Sequence, residues 1–209
     1  MVIIPQSYIF VNRRFLMIAL KITEIGTFIN KLLKDGMCDH FLLQEAVITQ
    51  AATYTIDGSF HPDYYEPEEL DTLHLQDLSY LPFSLLRPSC LKIMQGKKKP
   101  LFFKFVFLLS PENQEKTITR SGTDFTSKDI SGMYVHFTYK NEVLTCTTGI
   151  SYRLFSLDKS LEQEWDRLVQ VFLRQNGIAA EAVSLPLLPA PGKIRLLFRQ
   201  RCTDPRRYR

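Results

Sequence analysis

The sequence predicts an α+β fold: a mainly antiparallel sheet of about five or six strands with about three helices, the C-terminal helix packed on the sheet. Three observations lead there. Runs rich in β-branched and aromatic residues, chiefly FLLQEAVITQAATYTIDGSF, LFFKFVFLL and GMYVHFTY, are separated by polar, turn-forming stretches. Two segments, near residues 23–36 and 160–177, repeat apolar residues at helical spacing. A content of 45% hydrophobic and 12% aromatic residues in 209 positions suffices to bury one core.

Taken in order, IALKI after Met17 is a short strand. TEIGTFINKLLKDG follows as a helix with Ile25, Phe28, Ile29, Leu32 and Leu33 on one face, Thr23 as its cap and Gly36 at its left-handed end. FLLQEAVITQAATYTIDGSF reads as one long strand or two broken near 50–52, with Asp57-Gly58 as a hairpin signal. HPDYYEPEELDTLHLQDLSY is a polar, acidic excursion with a short helix starting near Pro67. In LPFSLLRPSCLKIMQG, Leu86, Cys90, Ile93 and Met94 share a helix face, and Pro88 places the first turn near Arg87.

The basic loop GKKKP feeds LFFKFVFLL, the most apolar strand, and SPENQEKTITRSGTDFTSKD then reads as a long polar loop. GMYVHFTY puts Met133, Val135, Phe137 and Tyr139 on one face, and VLTCTT pairs back through a turn at Asn141, with ISYRLF a further strand after Gly149. The clearest helix carries Leu161, Trp165, Leu168, Val169 and Phe172, with Ser160 and Gln163 as a capping box and Gly177 at its end.

The net charge of +4 and pI near 8.8 invite a nucleic-acid or anionic-membrane partner. Distribution removes the argument: residues 17–178 carry 17 Lys and Arg against 20 Asp and Glu, a net of −3, and the excess lies in the ends. The ends are Arg-rich where the middle is Lys-rich. We therefore expect a single domain over 17–178, an N-terminal extension over 1–16, and a Pro-rich linker with a basic tail over 179–209, the two ends disordered or foreign to the native protein.

Arg13-Arg14 ahead of an apolar run resembles an export signal, but Phe15 to Leu20 is interrupted by Lys21, short of the ~7–15 residues required. The pair can instead be encoded as AGG-AGG, a ribosome-binding sequence, with Met17 as the start. Four scattered cysteines without a C-x-x-C pair fit buried thiols in a reducing compartment. No apolar run approaches the ~20 residues of a membrane span. A cytoplasmic location is the expectation.

The stretches ALKITEIGTFINKLL, FLLQEAVITQAATYTIDG, LPFSLLRP, FKFVFLLSPE and TTGISYRLFSLDKSLEQEWD resemble an uncharacterised family of small clostridial (Firmicutes) proteins, a domain of unknown function, over about residues 17–173. The resemblance implies a domain boundary and a source class, and carries no activity or site residue.

Residue chemistry offers little. GISYR at 149–153 begins like a nucleophile elbow but has Arg153 where the turn needs glycine. Cys38, Asp39 and His40, with Glu45 nearby, match no common metal spacing. His61, Asp63 and His74 flank the acidic excursion and form the candidate metal or enzyme cluster. The most suggestive element is GKKKPLFFKFVF: Lys97, Lys98, Lys99 and Lys104 for phosphates, Phe103 and Phe105 for stacking on single-stranded bases. Against it stands a central strand buried on both faces, in which Lys104 must pair with a carboxylate or snorkel to water. Nothing calls for a cofactor. The expected function is a non-catalytic binding or interaction protein, with a protein or single-stranded nucleic acid as partner, and an unrecognised enzyme as the second alternative.

Overall fold

Period-two alternation sorts the strand residues of this chain onto two very different faces of one sheet. The computed structural model describes residues 18–183, apart from His74, Asp77, Lys97 and Leu154. Its strands are β1 (Ala19–Ile22), β2 (Phe41–Thr49), β3 (Thr53–Asp57), β4 (Phe102–Leu109), β5 (Ile130–Lys140), β6 (Val143–Tyr152) and β7 (Ala180–Ala182). They form a single antiparallel sheet in the order β3-β2-β4-β5-β6-β1-β7. The helices among the described residues are α1 (Ile25–Leu33), α2 (Pro67–Thr72), α3 (Phe83–Met94), α4 (Pro111–Ser121) and α5 (Ser160–Gln175). The α+β expectation holds, with seven strands and five helices among the described residues where fewer of each were expected.

Helices α1, α3 and α5 lie on the same face. Phe28 of α1 meets Phe137 of β5 at 4.7 Å, and Phe83 of α3 meets Phe107 of β4 at 5.0 Å. From α5, the Trp165 indole N–H donates to the Tyr134 carbonyl at 3.0 Å, and Phe172 sits edge-on to Phe41 at 5.4 Å. Beneath them Phe103, Phe105, Phe107 and Phe137 are buried together with Leu43, Ile48, Met133, Leu144 and Cys146. Each such phenylalanine contributes about 2–3 kcal/mol by leaving water. Arg87 ties this layer together from α3. It pairs with Asp39 at 2.8 Å and donates to the Leu33 and Lys34 carbonyls at the end of α1.

Several local expectations need correction. Residues 111–121 are helix, not loop: Pro111 takes the first helical position and Gly122, at φ +64°, ends it. Helix α3 starts at Phe83 and runs through Pro88, because the fully buried Phe83 ring anchors a first turn that proline alone would not favour. Asp57-Gly58 is not a hairpin turn, since β2 and β3 turn at residues 50–52. Gly58 is required for closeness: a Cβ there would meet the Leu43 carbonyl oxygen at 1.7 Å. Residues 143–152 form one strand through Gly149, closed onto β5 by Asn141 and Glu142, both at positive φ.

Gly36 and Gly177 take the left-handed conformation expected of them. The expected caps do not form. Thr23 donates to the Ala179 carbonyl, and the N–H of Ser160 is held by Asp158. Strand β7 lies past residue 178, where the linker was expected to begin, and pairs with β1. Residues 1–17 and 184–209, the substance of the two end segments, lie outside the described residues.

Candidate functional site

The opposite face of the sheet carries no helix among α1, α3 and α5. Registers place Glu45 and Val47 of β2, Lys104 and Val106 of β4, His136 and Thr138 of β5, and Thr145 and Thr147 of β6 side by side on it. Thr49, Thr53 and Thr55 extend this polar surface to one edge, and Lys21 and Glu181 extend it toward the other. Apart from the buried Val106, these side chains are half-buried in the middle strands and exposed at the margins. Its strand charges balance: Lys21, Lys104 and Lys140 stand against Glu45, Asp57 and Glu181.

At its centre Lys104 pairs with Glu45, the carboxylate that an apolar strand bearing a lysine demands. Val106 stands opposite both Glu45 and His136 and is 5% exposed, an apolar floor under their stems and that of Lys104. Burial holds the His136 imidazole below its usual pKa; Lys104 lowers it further, and Glu45 opposes both. His136 is therefore neutral at pH 7, able to donate from one ring nitrogen and accept at the other. Tyr134 lies edge-on to it at 6.2 Å, and the Gln44 amide donates to the Tyr80 hydroxyl at 3.3 Å nearby in the chain register. Burial, with Tyr80 second, raises the Tyr134 phenol.

The residues singled out from sequence separate in space. Phe103 and Phe105 are fully buried on the helix-covered face and offer no ring to a base, which removes the stacking half of the nucleic-acid reading. Lys104 points to the other face, toward Glu45. Lys98 and Lys99 line a cleft of about 410 Å³ with Gln50, Ala51, Gly96 and Leu101, at the turn end of β2 and β3. Lys97 and His74 lie outside the described residues. His61 and Asp63 sit exposed at a 3-10 turn, Pro62–Tyr64. Among the described residues no group of three or more His, Cys, Asp or Glu side chains gathers to hold a metal. Cys38 faces the core and Glu45 the open sheet face, so the Cys38-Asp39-His40-Glu45 grouping does not assemble.

Glu45, read from the sequence only as a neighbour of Cys38, Asp39 and His40, and His136 are the contributors that sequence reasoning did not bring together. Alternation in GMYVHFTY leaves His136 on the face opposite Met133, Val135, Phe137 and Tyr139. Its meeting with Glu45 depends on the β2–β4 register, which shifts between Leu43 and Glu45.

Other polar groups are bound into the fold. Asp166 of α5 accepts from Thr148, and burial raises its carboxyl despite that bond and one from the Ile18 N–H. Glu162, 6% exposed, pairs with Lys159 at 2.9 Å through one carboxylate oxygen. Burial pushes the Cys90 thiol up to about 12 and raises Cys38 and Cys146 as well, so all three stay protonated. A cavity of about 560 Å³ opens between the starts of α3 and α4, lined in part by Asp39, His40, Ser84, Ser110 and Asn113. Its Asp39 is already committed to Arg87.

Residues 31–181 match the model of a family of unknown function, DUF5721, and the chain belongs to that family. The match runs from the last turn of α1 into β7. No curated protein and no solved structure matches the chain. No helix among the described residues is long and apolar enough to cross a membrane.

Proposed function

We propose that this chain is a non-catalytic binding module that engages a partner protein with the open face of its sheet, centred on Glu45, Lys104 and His136. The observation that carries the reading is that neighbouring residues of β4 and β5 divide between the helix-covered apolar face and a half-buried polar centre of Lys104, His136 and Thr138 with Glu45 across from it, while Val106 and Leu108 of that second face are buried. A flat array of threonine hydroxyls, one ion pair and a neutral imidazole suits polar recognition of another protein surface. Its charge balance does not favour a polyanion. A clostridial source and a cytoplasmic location belong to the same proposal.

Affinity capture from an extract of the source organism tests it. Wild-type protein is expected to retain a defined partner that the folded Thr138→Arg variant loses, since the new side chain crowds the centre of the face. Equal retention by both overturns the reading. A second reading keeps nucleic acid as the partner, favoured by Lys98 and Lys99 bordering one cleft. It predicts that replacing both with glutamate weakens binding of a labelled single-stranded oligonucleotide in a salt-dependent way.

A further inference from the structure

We propose that β3 is a dimerisation edge: a second copy of this chain adds its own β3, antiparallel, across a two-fold axis at Thr55. The inference stands on the sheet edge and is independent of what the open face recognises. The two edges of the sheet differ in kind. Strand β7 is three residues long and carries Glu181 at its middle. Strand β3 is five residues, TYTID, with no proline, lysine or bulge, the devices that ordinarily blunt an edge.

One hydrogen bond fixes which backbone groups point outward. The Leu101 N–H donates to the Thr49 carbonyl at 2.9 Å, so the backbone groups of Thr49 face the β4 side. Thr49 stands opposite Thr53, and that pair is therefore not hydrogen-bonded within the β2–β3 hairpin. Alternation then leaves the N–H and C=O of Thr53, Thr55 and Asp57 directed away from β2, toward water. The Gln50 N–H, bonded to the Ala52 carbonyl at 2.9 Å, has the same phase.

A second β3 suits this edge because its sequence complements itself. About an axis at Thr55, Thr55 exchanges both backbone bonds with its copy, and Thr53 does so with Asp57 on either side. On the open face the threonine hydroxyls meet across the axis, and each Thr53 hydroxyl can donate to an Asp57 carboxylate. The two Asp57 carboxylates stay about 13 Å apart, four strand residues, so no like charges meet. On the helix-covered side Tyr54, 45% exposed, gains Ile56 of the other copy as a cross-strand neighbour. An arbitrary extended peptide would satisfy the backbone groups but not these pairs. Gly58 turns inward to the Gln44 carbonyl and Ser59 pairs with Tyr80, so the paired stretch ends at Asp57. The contact is isologous and closes at two copies.

Sedimentation velocity on the full chain between about 10 and about 500 µM, the range suited to so small an interface, reads the outcome. The expected result is a reversible monomer–dimer equilibrium that Thr55→Lys, which sets two ammonium groups against each other, weakens at least tenfold. Circular dichroism confirms that the variant is folded. In the wild type, hydrogen exchange at the Thr55 amide slows as concentration rises, a readout that needs no variant. A wild-type monomer across the whole range overturns the proposal. So does a dimer unaffected by Thr55→Lys, or a Thr55 amide whose exchange is independent of concentration.

Discussion

Around Lys104 and His136 the two faces of β4 and β5 are made of residues one position apart in sequence, yet their surroundings differ sharply; further along β4, Val106 and Leu108 are buried on the second face too. Phe103, Phe105, Phe107 and Phe137 are closed under helices α1, α3 and α5, whereas Lys104, His136 and Thr138 stand on a half-solvated polar surface. Two-residue periodicity lets one pair of strands supply the core and a surface free to vary, with little coupling between them. Substitutions on the first face should therefore act on folding, and those on the second on association.

The largest expected effect is on the covered face. Phe107→Ala should cost about 3–5 kcal/mol in denaturant unfolding, as a buried ring surrounded by packed neighbours is lost. Thr138→Ala, on the adjacent strand but the open face, should stay within about 0.5 kcal/mol. Similar losses at both positions would erase the distinction. Next comes Arg87→Ala, expected to cost about 2 kcal/mol, because Asp39 and the carbonyls ending α1 lose charge-assisted partners together.

The open face should contribute a pH dependence instead. His136 has its folded pKa depressed, so the native state binds its proton less readily than the unfolded chain. The corresponding stability is intact above the ordinary histidine value of about 6.5 and is lost as pH falls through the depressed one. His136→Gln should flatten that limb of a stability–pH curve; an unchanged limb would show that other groups produce it. The smallest effect belongs to Lys104 and Glu45, each side chain about a third exposed. A double-mutant cycle with alanine should return a coupling of about 0.2–1 kcal/mol, and a much larger value would make the pair part of the core.

What the sequence showed clearly was whatever its periodicity and turn chemistry specify. The apolar stripes of α1 and α5, the alternation in β5 and the Asn141 turn all appear as read. Helix α4 was missed because it buries only Gln114, Thr117 and Ile118, leaving no apolar stripe, although Pro111 and Gly122 marked both its ends. Strand β7, Ala-Glu-Ala, has no strand signature of its own and exists because β1 offers it an edge. At Asp57-Gly58 the turn dipeptide was real but its reason was different, a close approach to the Leu43 backbone.

The site was half visible. Lys104 stood out as a charge in an apolar strand, and a carboxylate partner was among its expected solutions. That the partner is Glu45, with His136 beside it, depends on strand pairing across more than fifty residues of intervening chain and a shifted register, which no local pattern encodes.

Partner binding at the open face is put to the test by placing a photo-crosslinking residue at Thr138 and, separately, at exposed Thr119 on α4, within cells of the source organism. The expected result is one discrete adduct from position 138, none of that mass from position 119, and an unchanged melting temperature for both proteins. An adduct from position 119 alone, or from neither position, would contradict it.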